Sequence, residues 1–356
     1  MQTKVIRIES ERIEKEKMKD AAALIREGEL VAFPTETVYG LGADALRPEA
    51  SKKIYEAKGR PSDNPLIVHI CKFEELERIA KEVPEQAKKL AEAFWPGPLT
   101  MVVWKNEKVP YTTTGGMDTV AVRMPNHPVA LSLIEESGCL IAAPSANTSG
   151  KPSPTEAAHV ALDMDGRIPM ILDGGPVGIG IESTIIDLTE EKPMILRPGY
   201  ITKNMLEEVL GEEVLIDPGI LATDTTDPSQ SGQKPKAPGM RYKHYAPKAD
   251  LVLVEGNTDK VVDKINELVV EQRKLGKRVG VIATDETKKR YQADVVFSIG
   301  ARDDEDAIAQ HLYKILRDFD EQQVDAIYSE SFATPRIGQA IMNRLLKAAG
   351  YQVLYV

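Results

Sequence analysis

A break in pattern constrains this chain more than any motif does. From about Asp217 to Lys248 neither the 3.6-residue period of an amphipathic helix nor the two-residue alternation of a strand can be traced. Thr, Asp, Pro, Ser, Gln and Gly dominate as far as Gly232. So long a structureless run does not fit inside a compact core, so it reads as a linker, a lid, or both. At 356 residues the chain is also too long for one ordinary core. Three parts are expected: a first domain over 1–212, a linker over 213–248 and a second domain over 249–356.

The first part reads as mixed α/β. Strands are expected at Val5–Ile8, Leu30–Phe33, Leu66–Ile70, Leu99–Trp104, Thr119–Arg123, Leu140–Ala142, Met170–Leu172, Ser183–Leu188 and Met194–Leu196. Helices are expected at Lys17–Glu27, Glu49–Lys58, Val83–Phe94, Pro128–Ser137, Thr155–Asp163 and Lys203–Leu210, and Gly28 and Gly59 suit helix C-caps. After the break, strands near 251–254, 278–284, 293–299, 324–328 and 352–356 alternate with helices near 259–274, 304–319 and 337–349. That alternation implies a smaller, Rossmann-like parallel α/β domain. It lacks the glycine-rich dinucleotide fingerprint after its first strand.

Composition narrows the function. Cys71 and Cys139 are the only cysteines, too few for a disulfide framework or a cysteine-rich zinc site, which suggests a reducing, cytoplasmic setting. No apolar run reaches the roughly 18 residues of a membrane span, and the N-terminus has no signal-peptide core. Net charge is −10, from 45 basic and 55 acidic residues, so broad nucleic-acid binding is not expected. An anionic substrate must then be held by a local group of cations. The five histidines have no metal-ligand spacing, and no Walker A sequence, nucleophile elbow or His-Glu-x-x-His helix is present.

Polar residues at strand ends and turns remain. Lys58-Gly59-Arg60-Pro61-Ser62-Asp63-Asn64-Pro65 reads either as a helix C-cap followed by a turn or as a phosphate-binding turn, with Lys58 and Arg60 at an exposed helix end. Pro144-Ser145-Ala146-Asn147-Thr148-Ser149-Gly150 follows an apolar strand, as a plain turn or as a loop facing a nucleotide. Arg123 and Arg197 each end an apolar strand, where a buried guanidinium needs a salt-bridge partner or a substrate anion. His69 lies within a strand and could be a satisfied core histidine, and Asp173-Gly174-Gly175-Pro176 reads as a turn. Lys234 to Lys248 holds five Lys or Arg and no acid, interleaved with tyrosines, either as a solvated linker or as a segment that closes over an anion.

Taken together, Pro34-Thr35-Glu36-Thr37-Val38-Tyr39-Gly40-Leu41, the Lys58/Arg60 turn with Asn64-Pro65, and Ser145-x-Asn147 resemble the YrdC-type domain of threonylcarbamoyl-AMP synthases. The match spans about Lys15 to Leu210. Pro238–Pro247 and the second α/β domain resemble the longer form of that enzyme. The resemblance implies a YrdC-like twisted mixed sheet with helices. It implies a nucleotidyltransferase that makes threonylcarbamoyl-AMP and pyrophosphate from L-threonine, bicarbonate and ATP, with Mg²⁺ carried by ATP and no dedicated metal site. The product would pass to the tRNA threonylcarbamoyl-transfer machinery that modifies position 37. It further implies that Lys58, Arg60, Asn64, Thr119, Ser145, Asn147, Ser153 and Arg197 line an ATP pocket, with Tyr242 reaching over it, and that Lys58 and Arg60 serve catalysis. Thr37, His69, Arg123, Ala143 and Ser183 would hold L-threonine. The alternatives are an RNA-binding or ribosome-maturation module, against which the net charge argues, and a multidomain carbamoyl-transfer factor, whose zinc-finger cysteines are missing here.

Overall fold

The computed structural model describes residues 2–11, 13–221, 245–332 and 335–356. They divide into two compact units, one of residues 2–149 and 153–221, the other of 150–152 and 245–356. Tyr242 and most of the basic segment Lys234–Lys248 lie outside the described residues.

The first unit runs β1 (Lys4–Arg7), α1 (Lys15–Arg26), β2 (Val31–Pro34), β3 (Tyr39–Asp44), α2 (Pro48–Lys58), β4 (Ile67–His69), α3 (Glu85–Phe94), β5 (Leu99–Trp104) and β6 (Thr119–Arg123). It continues α4 (Pro128–Ser137), β7 (Ile141–Ala142), α5 (Ala157–Met164), β8 (Met170–Asp173), β9 (Thr184–Asp187), β10 (Met194–Arg197), α6 (Lys203–Leu210), β11 (Leu215–Ile216) and α7 (Pro218–Leu221). Its strands form one mixed sheet in the order β1-β8-β2-β3-β7-β4-β6-β5-β9-β10-β11. The two-residue period sorts side chains between its faces. Ala32 and Ile171 enter the larger core, while Val31, Phe33, Met170 and Leu172 enter a second core with α1 and α4 residues such as Ile25 and Leu133. In the middle of the sheet, Val68, Val120 and Val122 join the larger core, and Ile67 and Ala121 face the other way with Val102, Ile185 and Leu196. That last face is small, and its edges are polar.

Three elements depart from the sequence expectations. β3 begins inside the Pro34–Leu41 motif and runs on to Asp44; no strand is expected there because Gly40 and Gly42 hide its alternation. Gly42 is glycine for space: a Cβ there would lie 2.6 Å from Phe33 Cε1 and 2.7 Å from Ile141 Cγ2. The short strand β11, paired with β10, and the helical turn α7 both fall inside the linker expected over 213–248; in the turn, Asp217 O accepts from Ile220 N at 2.9 Å.

The second unit contains β12 (Asp250–Glu255), α8 (Thr258–Lys274), β13 (Val279–Ala283), β14 (Val295–Ser298), α9 (Glu305–Glu321), β15 (Ala326–Glu330), α10 (Gly338–Ala348) and β16 (Val353–Tyr355). All its strand pairs are parallel, in the order β14-β13-β15-β12-β16. This is the layered Rossmann-like arrangement that alternation implies. The turn after β12 is short. Gly256, at φ +154°, leaves no room for a Cβ, which would lie 2.3 Å from Val356 O, and the Asn257 side chain caps α8 by accepting from Asp259 N at 3.0 Å.

Candidate active site

The two turns singled out in the sequence are physically one structure. α2 ends at Gly59, whose left-handed φ of 62° lets the chain reverse. The Lys58 side chain folds inward and is 1 % exposed. Its Nζ donates to Ser145 O and Asn147 O, each at 2.5 Å, and Lys58 O accepts from Ser149 N at 2.9 Å. This corrects the expectation of an exposed helix end: Lys58 is a buried strut through which α2 carries the loop after β7. Arg60 is half-buried and held in place, its Nη2 donating to Asn64 Oδ1 at 2.6 Å and Pro65 O at 3.0 Å, and its Nε to Asn64 O at 3.2 Å. Ser145 Oγ donates to Asn147 Oδ1 at 2.5 Å. Lys58, Arg60, Asn64, Ser145 and Asn147 therefore sit together.

β6 carries two further candidates on one face. Thr119 and Arg123 are four residues apart, and β4 lies parallel in register, pairing His69 with Arg123. Arg123 is 4 % exposed; its Nη1 donates to Thr37 Oγ1 at 2.9 Å and its Nε to Gly97 O at 3.3 Å. Its Nη2 lies 2.7 Å from Glu36 Oε1. Thr35 builds the turn that delivers Glu36 and Thr37: its Oγ1 accepts from Thr37 N at 3.2 Å and Val38 N at 3.3 Å and donates to Val38 O at 2.7 Å. His69 is buried, with Nδ1 3.2 Å from Ile67 O. Burial, and then the Arg123 charge, push its pKa down to about 3, so the ring is neutral at physiological pH. The Ala143 side chain belongs to the core and its N–H donates to Ile67 O at 2.8 Å, so what it can offer a ligand is its carbonyl.

A bulge brings in the last cation. β10 pairs antiparallel with β9, but the register slips between Ile195 and Arg197, which re-aims the Arg197 side chain. Its Nε donates to Ser183 O at 3.0 Å and its Nη2 to Ser183 Oγ at 3.1 Å, and Ser183 Oγ is also 2.8 Å from Thr100 Oγ1. A residue expected on ATP thus touches one expected on L-threonine. Ser153 Oγ donates to Glu182 Oε1 at 2.6 Å. Asp173 Oδ1 accepts from Gly175 N at 2.9 Å, so that turn is structural.

Sequence reasoning passed over Glu36, Thr100 and Glu182. Glu36 lies inside the quoted Pro34–Leu41 motif, and a carboxylate between two threonines at a strand end was the signal available. Nothing in the strand pattern marks Thr100 or Glu182, whose partners lie 83 and 29 residues away. Among the described residues no group of three His, Cys, Asp or Glu could hold a metal ion. Guanidinium groups are held beside hydroxyl or amide groups at three places, Arg123 with Thr37, Arg197 with Ser183 and Arg60 with Asn64, and such groups suit anions.

Known proteins resemble this chain over almost its whole length. The family model described as Telomere recombination matches residues 23–199, and that described as Threonylcarbamoyl-AMP synthase, C-terminal domain matches residues 201–350. The threonylcarbamoyl-AMP synthase of Pyrococcus abyssi is 54% identical over 97% of this chain and 98% of its own length. The chain belongs to the threonylcarbamoyl-AMP synthase family. Threonylcarbamoyl-AMP synthase from Bacillus subtilis is 53% identical over 94% of this chain and 93% of its own. The crystal structure of P. abyssi Sua5 complexed with L-threonine has a TM-score of 0.93, with 99% of this chain and 100% of that one covered. As a family member the chain is an enzyme of the two-domain threonylcarbamoyl-AMP synthase type. No helix among its described residues is long and apolar enough to cross a membrane.

Proposed function

We propose that this chain condenses L-threonine, bicarbonate and ATP, the last as its magnesium complex, to threonylcarbamoyl-AMP and pyrophosphate in the cytoplasm. The product would pass to the machinery that threonylcarbamoylates position 37 of tRNA. One observation carries the reading: Arg123, bonded to Thr37 and in register with His69, and Thr119 lie on one face of β6 at its two ends. Four residues of strand span roughly 13 Å, room for an amino acid and a nucleotide to lie end to end along the same face.

In this reading Arg123 takes the threonine carboxylate, and His69, Thr37 and Ser183 stand around the side-chain hydroxyl. The carbamate formed from threonine and bicarbonate attacks the α-phosphate. Arg60, already fixed by Asn64, and Arg197, fixed by Ser183, face the charge that develops on phosphate oxygens. Lys58 supports this by holding the Ser145–Asn147 loop in place. No protein nucleophile is needed. Magnesium enters with the triphosphate, as a part of the substrate. The L-threonine complex of the P. abyssi relative supports the amino-acid half of the reading.

Pyrophosphate release, with threonine and bicarbonate omitted in turn, tests it. Release is expected only when both are present; equal release without either sinks the reaction.

A further inference from the structure

The contact between Glu36 and Arg123 is incomplete. Glu36 Oε1 lies 2.7 Å from Arg123 Nη2, with side-chain exposures of 13 % and 4 %. Yet neither Glu36 oxygen nor Arg123 Nη2 makes an aligned hydrogen bond. The charges touch without the geometry that normally compensates burial, which is costly for both groups. The backbone beneath is fixed, with Glu36 O accepting from Ile179 N at 2.8 Å and Thr37 O from Gly180 N at 3.1 Å. The misalignment therefore belongs to a braced turn. Around the pair stand buried His69, held neutral, and His127, whose pKa burial lowers and Glu36 raises.

A zwitterion inserted here would repair both defects. Its carboxylate would meet Arg123 Nη2 and its ammonium would meet Glu36, giving each charge an aligned opposite partner. We propose that Glu36 recognises the ammonium of the amino-acid substrate and takes up its proton as the carbamate forms; this rests on the reading that L-threonine binds beside Arg123. The bookkeeping closes. The Glu36 carboxylate takes one proton from R–NH₃⁺, leaving R–NH₂ and a neutral Glu36. The amine lone pair forms the N–C bond to bicarbonate carbon, and the C–OH bond breaks. The departing hydroxide leaves as water with a second amine proton, giving R–NH–COO⁻. Glu36 then returns its proton to solvent.

Calorimetric titration of the full chain with L-threonine and with 3-hydroxybutanoate, the same molecule without its amine, tests recognition. The wild-type protein should prefer L-threonine by about tenfold to a hundredfold, the worth of a hydrogen bond to a charged group. Glu36→Gln should remove most of that preference while binding 3-hydroxybutanoate at least as well, and Glu36→Asp should keep part of it. At saturating threonine, Glu36→Gln should also lose turnover by about a hundredfold. Equal loss of both ligands would reduce Glu36 to a positioning residue for Arg123 and overturn the proposal, as would a wild-type protein indifferent to the amine, whether or not the variants fold. Unchanged turnover at saturating threonine would overturn the proton transfer. A wild-type protein that binds no L-threonine would instead bring down the underlying reading, and this inference with it.

Discussion

Lys58 and Arg60 are two residues apart, yet their substitutions should fail differently. Removing the Lys58 ammonium takes a donor from the Ser145 and Asn147 carbonyls, at about 1–3 kcal/mol in all. Lys58→Met should therefore lower the unfolding midpoint and activity together. Arg60 is half-buried, and its loss should cost roughly 1 kcal/mol of stability but about a hundredfold in turnover if it faces transition-state charge. Thermal melts beside pyrophosphate assays separate the two; an Arg60→Ala variant with normal turnover and a depressed melt would leave Arg60 a mere cap. His69 supplies a pH test. Its folded pKa of about 3 lies below the unfolded value near 6.5, so below pH 6.5 the unfolded chain binds the extra proton. Stability should fall as pH drops from about 6.5 towards 3, by up to about 1.4 kcal/mol per pH unit from this ring alone. His127, also lowered by burial, adds in the same direction. Melting curves of His69→Phe between pH 7 and 4 should be visibly flatter than wild type; identical slopes would show that the ring is not buried neutral.

At the scale of elements, the site depends on how strands end. The β2–β3 turn is organised by one hydroxyl, Thr35 Oγ1, which also lies 2.9 Å from Thr37 Oγ1. Thr35→Val keeps the shape but strands the Thr37 and Val38 amides. We expect a loss of about 1–3 kcal/mol in denaturant titration and a raised KM for threonine with ATP affinity unchanged, because Glu36 and Thr37 both hang from this turn. If the two affinities move together, the turn does not belong to the amino-acid end. The β10 bulge plays the matching part for Arg197, since an unbulged β10 would carry that side chain to the opposite face.

For the whole molecule, charge is the governing quantity. A net charge of −10 argues against capture of a polyanion by counterion release over a broad surface. Fluorescence anisotropy with tRNA at physiological salt should show binding no tighter than about 10 µM. Tight binding that weakens steeply with salt would instead favour the RNA-binding alternative. The cations that matter are local, and several are neutralised or pinned by protein groups: Arg123 by Glu36, Arg60 by Asn64, Arg197 by Ser183.

Local pattern was enough to mark the two kinds of α/β unit and most strands and helices, because period and capping chemistry are properties of neighbouring residues. It also marked Lys58, Arg60, Asn64, Ser145 and Asn147, since cations, small hydroxyls and amides at turns are unusual enough to notice. It did not reveal the order of the large sheet, in which β1 pairs with β8 and β7 lies between β3 and β4, because pairing partners are chosen by long-range packing. Nor did it reveal that Lys58 is buried, that a slip of register turns Arg197 towards Ser183, or that Glu36 meets Arg123. Each of these depends on which distant backbone lies a few ångströms away, and only the folded sheet decides that.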